Sequence, residues 1–237
     1  MYFPGAVLVA AQFLVTLEPK TIRAFDDYLR GVDAQMTARA AAPESLAGRP
    51  GGVFEINAGL EVKRGLVHDW AAVTFLPGVP KAKAIAVLED FSRHSAVYPE
   101  VLDGRVEKRD GKQIFGFHRL RKKKVLEVNL EARYQLDILP SPANRYASRS
   151  VATEIVELDG DARLTPGHDR GFLWRLQTYW TLEETNQGLW MEVRSVSLTR
   201  DVPMGLGWAV KPIVRELPRE SLEALMEATK RALLTGK

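Results

Sequence analysis

The feature that most constrains this chain is the run from Leu126 to Ile138, where apolar and polar residues alternate without a break. In an extended backbone Leu126, Val128, Leu130, Ala132, Tyr134, Leu136 and Ile138 point one way. Glu127, Asn129, Glu131, Arg133, Gln135 and Asp137 point the other. A helix would scatter the same apolar groups around its circumference, so the run is a strand with one buried and one wet face. At about 3.3 Å per residue it extends about 40 Å, a length suited to a large curved antiparallel sheet. Similar strands are expected at 66–76, 113–120, 145–157, 171–183 and 189–199, with turns at Asp110-Gly111, Pro140-Ser141-Pro142 and Asn186-Gln187-Gly188.

Helical spacing surrounds this block of strands. Ile22, Phe25, Tyr28, Leu29 and Val32 predict a helix over 18–40, and Ala40 to Gly52 reads as a linker. Lys81 to Arg93 places Ile85, Leu88 and Phe91 toward one side. After Pro203 the chain turns helical again, with Pro218 in the first turn of a new helix. Leu222, Leu225, Met226, Thr229 and Leu233 then form a stripe. The order predicts an α+β fold in which a curved antiparallel sheet wraps around a long C-terminal helix. The expected division is a signal-like segment over 1–17, a helix and linker over 18–52, and a ligand-binding domain over 53–237.

Composition narrows the function classes. Hydrophobic residues make up 46% of the 237 and charged residues 27%, enough apolar surface for a core. With no cysteine, disulfides, thiolate metal sites and cysteine nucleophiles are excluded. A net charge of +3 and a pI near 9.1 are too mild to name nucleic acid as a partner. Ala6 to Leu17 is apolar but interrupted by Gln12 and Thr16, and too short to span a bilayer. It has the length of a signal-peptide hydrophobic region, with Val9-Ala10-Ala11 suited to cleavage before Gln12, although the first lysine is Lys20. Export to the periplasm is the expectation; a segment retained and packed would mean a cytoplasmic protein.

Two stretches carry a family resemblance. One is Gly78-Val79-Pro80 leading into the 81–91 helix, followed by Tyr98-Pro99-Glu100-Val101. The other runs from Trp180-Thr181-Leu182-Glu183-Glu184 through Gly188-Leu189-Trp190-Met191-Glu192-Val193 to Arg200-Asp201-Val202-Pro203. Together with the element order they resemble the START-like superfamily of helix-grip domains, which includes polyketide cyclases and birch-pollen-type allergens. The resemblance covers about 60–234. Val67-His68-Asp69-Trp70, the 167–174 stretch and Leu217-Pro218-Arg219-Glu220-Ser221-Leu222 are similar to a bacterial exported subgroup. It implies a hydrophobic cavity between sheet and terminal helix without naming the ligand.

Phe172, Trp174, Leu176, Thr178, Trp180 and Leu182 are expected on one strand face, with Leu189, Met191 and Val193 on the adjoining strand. The residues expected to line a cavity are Trp70, Leu130, Tyr134, Phe172, Trp174, Leu176, Trp180, Met191 and Trp208, with Trp174 and Tyr134 orienting a ligand by their polar atoms. A filled core is the competing reading. Asp201 to Trp208, with Pro203, Gly205 and Gly207, is a candidate gate.

Catalytic motifs are absent. His68-Asp69 and His168-Asp169 alternate sides of a strand or lie in a loop ahead of one, and no HExxH supports them, so no metal is expected. His94 and His118 make weaker candidates still. Without GxSxG, GxGxxG or GxxxxGK, neither a serine nucleophile nor a nucleotide cofactor is expected. His68, Asp69, Arg175, Tyr179 and Glu192 could act as acids or bases if they face inward. Arg119-Leu120-Arg121-Lys122-Lys123-Lys124 reads as a solvated hairpin that deters edge pairing, or as a basic edge touching an anionic membrane. The leading reading is binding or transport of a hydrophobic small molecule or lipid, with no cofactor and no nucleic acid. A cyclase or dehydratase and a ligand-free interaction module are the alternatives, and the sequence leaves oligomeric state open.

Overall fold

The computed structural model describes residues 13–41, 45–123, 127–201 and 207–235, and for residues 58 and 207–215 the backbone alone. The chain runs β1 (Val15–Thr16), α1 (Pro19–Ala41), β2 (Gly52–Val62), β3 (Gly65–Pro77) and α2 (Lys81–Glu89). A 3-10 turn (Phe91–Arg93) and α3 (His94–Val97) follow. Next come β4 (Val101–Asp110), β5 (Gln113–Lys123), β6 (Glu127–Leu139), β7 (Arg145–Asp159), β8 (Ala162–Arg163) and β9 (His168–Asp169). The strands β10 (Arg175–Thr185) and β11 (Gly188–Arg200) precede the terminal helix α4 (Gly207–Thr235). The long strands form one antiparallel sheet in the order β2-β3-β11-β10-β7-β6-β5-β4, with β8 on β7, while β1 pairs with β9. No described helix is long and apolar enough to cross a membrane.

This is the expected α+β sheet and closing helix. The inner face packs Trp70, Ala72, Leu76, Trp180, Leu182 and Met191 against Leu222, Met226 and Leu233 of α4. The outer face packs Val67, Tyr179, Val196 and Leu198 against Phe25, Val32 and Met36 of α1. Helix α1 is therefore fastened to the sheet through a core of its own.

Several boundaries differ from the sequence reading. The helix expected over 81–93 breaks at Asp90, whose backbone leaves helical geometry and whose carboxylate accepts from Ser92 N to start the 3-10 turn. Pro218 opens no helix; it lies inside α4, which begins at Gly207 and also passes through Pro212. Each proline withdraws one amide from the helical ladder without ending it. The 40–52 stretch is not a free linker, because Leu46 is buried and its amide donates to Glu183 at 2.5 Å. Val101–Asp110, which carries no strand pattern in the sequence, is the edge strand β4. The basic run does not guard an edge, since β5 lies between β4 and β6, with Arg119 paired to Asp161 and Lys122 to Glu100. His168 belongs to a two-residue strand rather than a loop. Leu126, Lys124, the Ala6–Gln12 segment and Val202–Leu206 of the candidate gate lie outside the described residues.

Candidate functional site

Strand register carries one row of side chains across the inner face. Trp70 pairs with Ser195, Ser195 with Thr178, Thr178 with Ser150, Ser150 with Leu136, and Leu136 with Ile114. The ends of this row, Trp70, Leu136 and Ile114, are buried. Its middle is short and hydroxylated: Ser150, Thr178 and Ser195 remain half-buried, as does Leu176 beside them. A sheet face packed solidly on a helix carries large side chains at its centre and leaves them no exposure. Solvent therefore reaches three adjacent hydroxyls in the middle of this row.

Toward β5 the inner face becomes aromatic and polar. Phe91 sits on Gly116, where a Cβ would come within 2.4 Å of its ring, and its ring meets those of His94, His118 and Tyr134 at centroid distances of 5.0, 5.1 and 5.9 Å. His94 and His118 are hydrogen-bonded through Nδ1 and Nε2 at 2.8 Å, and His94 Nε2 lies 2.9 Å from Val87 O. A carbonyl only accepts, so His94 Nε2 carries the proton, His94 Nδ1 accepts from His118 Nε2, and His118 Nδ1 keeps a lone pair that can accept a hydrogen bond. Burial pushes His118 down to about 3, with His94 adding to the effect, and burial also lowers His94. Burial alone raises the Tyr134 phenol far above its usual range. Tyr98 is pushed up to about 12 by burial; its hydroxyl lies 3.2 Å from Thr229 Oγ1 on α4. The cluster is therefore neutral at physiological pH.

The outer face is charged and closed. Arg194 donates to both oxygens of Asp69 at 2.9 and 2.6 Å, and Tyr28 Oη donates to Asp69 at 2.7 Å. Asp33 of α1 accepts from Tyr179 Oη at 2.7 Å and Gln177 at 2.8 Å. Glu192 accepts from Arg39 at 2.7 Å and Arg49 at 2.5 Å. Of the residues expected to act as acids or bases, Asp69, Tyr179 and Glu192 thus point away from the inner face. Arg175 also lies on the outer side in register with Leu198, and donates to Trp174 O at 2.8 Å. His68 faces inward, 3.0 Å from Thr199 Oγ1.

Of the expected lining residues, Trp70, Trp180 and Met191 share the inner core with α4, while Leu130, Tyr134 and Leu176 form the adjoining inner cluster. Trp174 does not join them. Strand β10 begins only at Arg175 and Trp174 lies in a bend ahead of it, so the alternation running back from Trp180 loses its phase before it reaches Trp174. The Trp174 indole packs on the outer side with Phe25 and Met36, and donates to Asp169 at 2.8 Å. Phe172 is half-buried outside any strand, so it and Trp174 do not continue the Leu176–Leu182 face. The Trp208 side chain lies outside the described residues. Sequence reasoning places Thr178 on this face but misses Ser150 and Ser195, although inward-phased Ser and Thr on long strands are a visible signal. Among the described residues no cluster could hold a metal ion.

No protein-family model and no curated protein matches the chain. Solved structures resemble it in fold. TTHA0849 from Thermus thermophilus superposes with a TM-score of 0.51 at 15% identity, covering 71% of this chain and 99% of that one. Human STARD10 superposes with a TM-score of 0.50 at 13% identity, over 94% of this chain and 84% of that one. An antiparallel sheet gripping a long C-terminal helix, shared with these structures, gives this chain the helix-grip fold.

Proposed function

We propose that the protein binds an apolar small molecule between the inner face of the sheet and α4. The half-buried row Ser150–Thr178–Ser195, set between the buried Trp70 and Leu136, carries this reading. Apolar walls such as Trp180, Leu136 and Leu176 would gain about 25 cal/mol for each Å² that a ligand removes from water. The few polar atoms among them would orient it.

The test is native mass spectrometry of protein purified from its own host, followed by organic extraction. The expected result is an apolar compound bound near one-to-one, absent from Thr178→Trp, whose indole would fill the middle of the row. A clean apo mass, together with no uptake of a fluorescent apolar probe by the folded protein, would refute enclosure. A filled inner face would then be the correct description.

A further inference from the structure

The described cations on or beside the inner side are held by the protein itself. Lys122 is bonded to Glu100 at 2.9 Å and to Ser221. Glu184 accepts from Lys81 N at 2.9 Å, and Arg109 pairs with Glu89 at 3.2 Å at the sheet edge. Glu157, opposite Leu130 on the inner side, accepts from Arg170 N at 2.7 Å, and as a carboxyl group it supplies no positive charge in either protonation state. Among the described residues no cation faces the hydroxyl row. An anionic headgroup drawn in there would lose its hydration without a counter-charge, at a cost of several kcal/mol.

What the site offers instead is neutral hydrogen bonding. Tyr134 stands one row from Ser150 and Leu136, on the inner face, with its ring 5.1 Å from that of His118. Tyr134 is buried, and none of the described residues hydrogen-bonds its hydroxyl. Behind it the His118–His94 pair is anchored on Val87 O, with the His118 Nδ1 lone pair left as acceptor. Trp70 Nε1, at the other end of the hydroxyl row, is a buried donor without an acceptor among the described residues. Groups of this kind favour a guest that brings a hydrogen-bonding oxygen and no charge.

We propose that the enclosed molecule is an uncharged apolar skeleton bearing a hydrogen-bonding oxygen, such as a ketone, quinone, ester or alcohol, and that Tyr134 Oη, backed by the His118–His94 pair, meets that oxygen. This rests on the enclosure reading and specifies its ligand class. It separates the site from one built for fatty-acid carboxylates or phospholipid headgroups.

Equilibrium dialysis against fluorene, fluorenone and fluorenecarboxylate, which share one tricyclic skeleton, tests it at neutral pH. Fluorenone should bind about fivefold more tightly than fluorene, as one net hydrogen bond predicts, and at least about tenfold more tightly than the carboxylate. Tyr134→Phe should bring the fluorenone-to-fluorene ratio close to one. Tyr134→Met, a flexible side chain of similar reach, is the second variant if the first does not fold. Equal binding of fluorene and fluorenone by the wild type, a carboxylate bound as tightly as the ketone, or a ratio unchanged in both variants overturns the proposal while enclosure stands. Failure of all three compounds to bind the folded protein overturns enclosure as well.

Discussion

Replacing Arg194 by Met tests whether α1 is seated on the sheet as described. The Arg194 and Asp69 side chains are 7% and 0% exposed, and the guanidinium contacts both carboxylate oxygens as well as Gln35 at 2.5 Å. Arg194→Met leaves Asp69 buried with Tyr28 as its remaining strong donor. Breaking one side of a buried pair costs about 3–5 kcal/mol. In a chain of this size that corresponds to a fall in Tm of about 8–16 °C, taking a middle value of about 4 kcal/mol. Urea denaturation followed by tryptophan fluorescence, with thermal melts in parallel, measures both. The double variant Asp69→Leu/Arg194→Met removes the stranded charge and should recover at least about half of the loss. A single-variant loss below about 1 kcal/mol is what a solvated surface pair would give, and would refute the seating of α1 on this face.

Two further outcomes follow from the geometry. Burial, then the Asp169 carboxylate, pushes Glu157 up to about 7 from 4.5, so the folded state holds its proton where the unfolded chain has lost it. Its contribution to stability therefore falls as pH rises from about 4.5 to about 7 and is flat above; Glu157→Gln should be more stable than wild type by about 2 kcal/mol at pH 8 and nearly equal at pH 4.5, as urea midpoints at the two pH values would show. Gly116→Ala drives a Cβ to within 2.4 Å of the Phe91 ring, and should cost about 1–3 kcal/mol and weaken fluorenone binding, because Phe91 supports the His118–Tyr134 contact. Unchanged thermal melts and dialysis for this variant would show that Phe91 is free to move.

What the sequence discloses depends on whether only one side of an element is covered. Strand β6 and helix α1 are half-wet, so period-two and helical spacing locate both to within about two residues. Strand β3 is buried on both faces over Gly65–Val73, and alternation vanishes there, so nothing in Val67-His68-Asp69-Trp70 tells which side chain faces inward. That is why Asp69 and Glu192 stand as inward candidates in the sequence although both serve the outer face. Strand β4 leaves no signal because it is an edge in which only Val101 is buried. Counting alternation past Arg175, where β10 begins, into the bend at Trp174 places that residue on the wrong face. The His94–His118 pair joins residues on separate elements, and no spacing rule links them.

The two faces of the sheet are both largely buried but settled by different chemistry. On the outer face Asp69, Asp33, Glu192 and Glu183 each meet donors within the protein, several of them on α1 and the segment after it. Buried ion pairs add little net stability, because desolvation offsets their attraction, yet each strongly penalises any displacement that separates its partners. Such a face fixes the position of a helix. At the centre of the inner face short hydroxyls and neutral aromatic groups stand in place of charges, and the indole N–H of Trp70 has no acceptor among the described residues. An apolar face with unmet but uncharged hydrogen bonding imposes little on its own occupant and can exchange water for a neutral guest at low electrostatic cost. The chemistry that immobilises one side of the sheet and the chemistry that leaves the other receptive are thus written on alternate residues of the same strands: Glu192 and Arg194 on one side of β11, Val193 and Ser195 on the other.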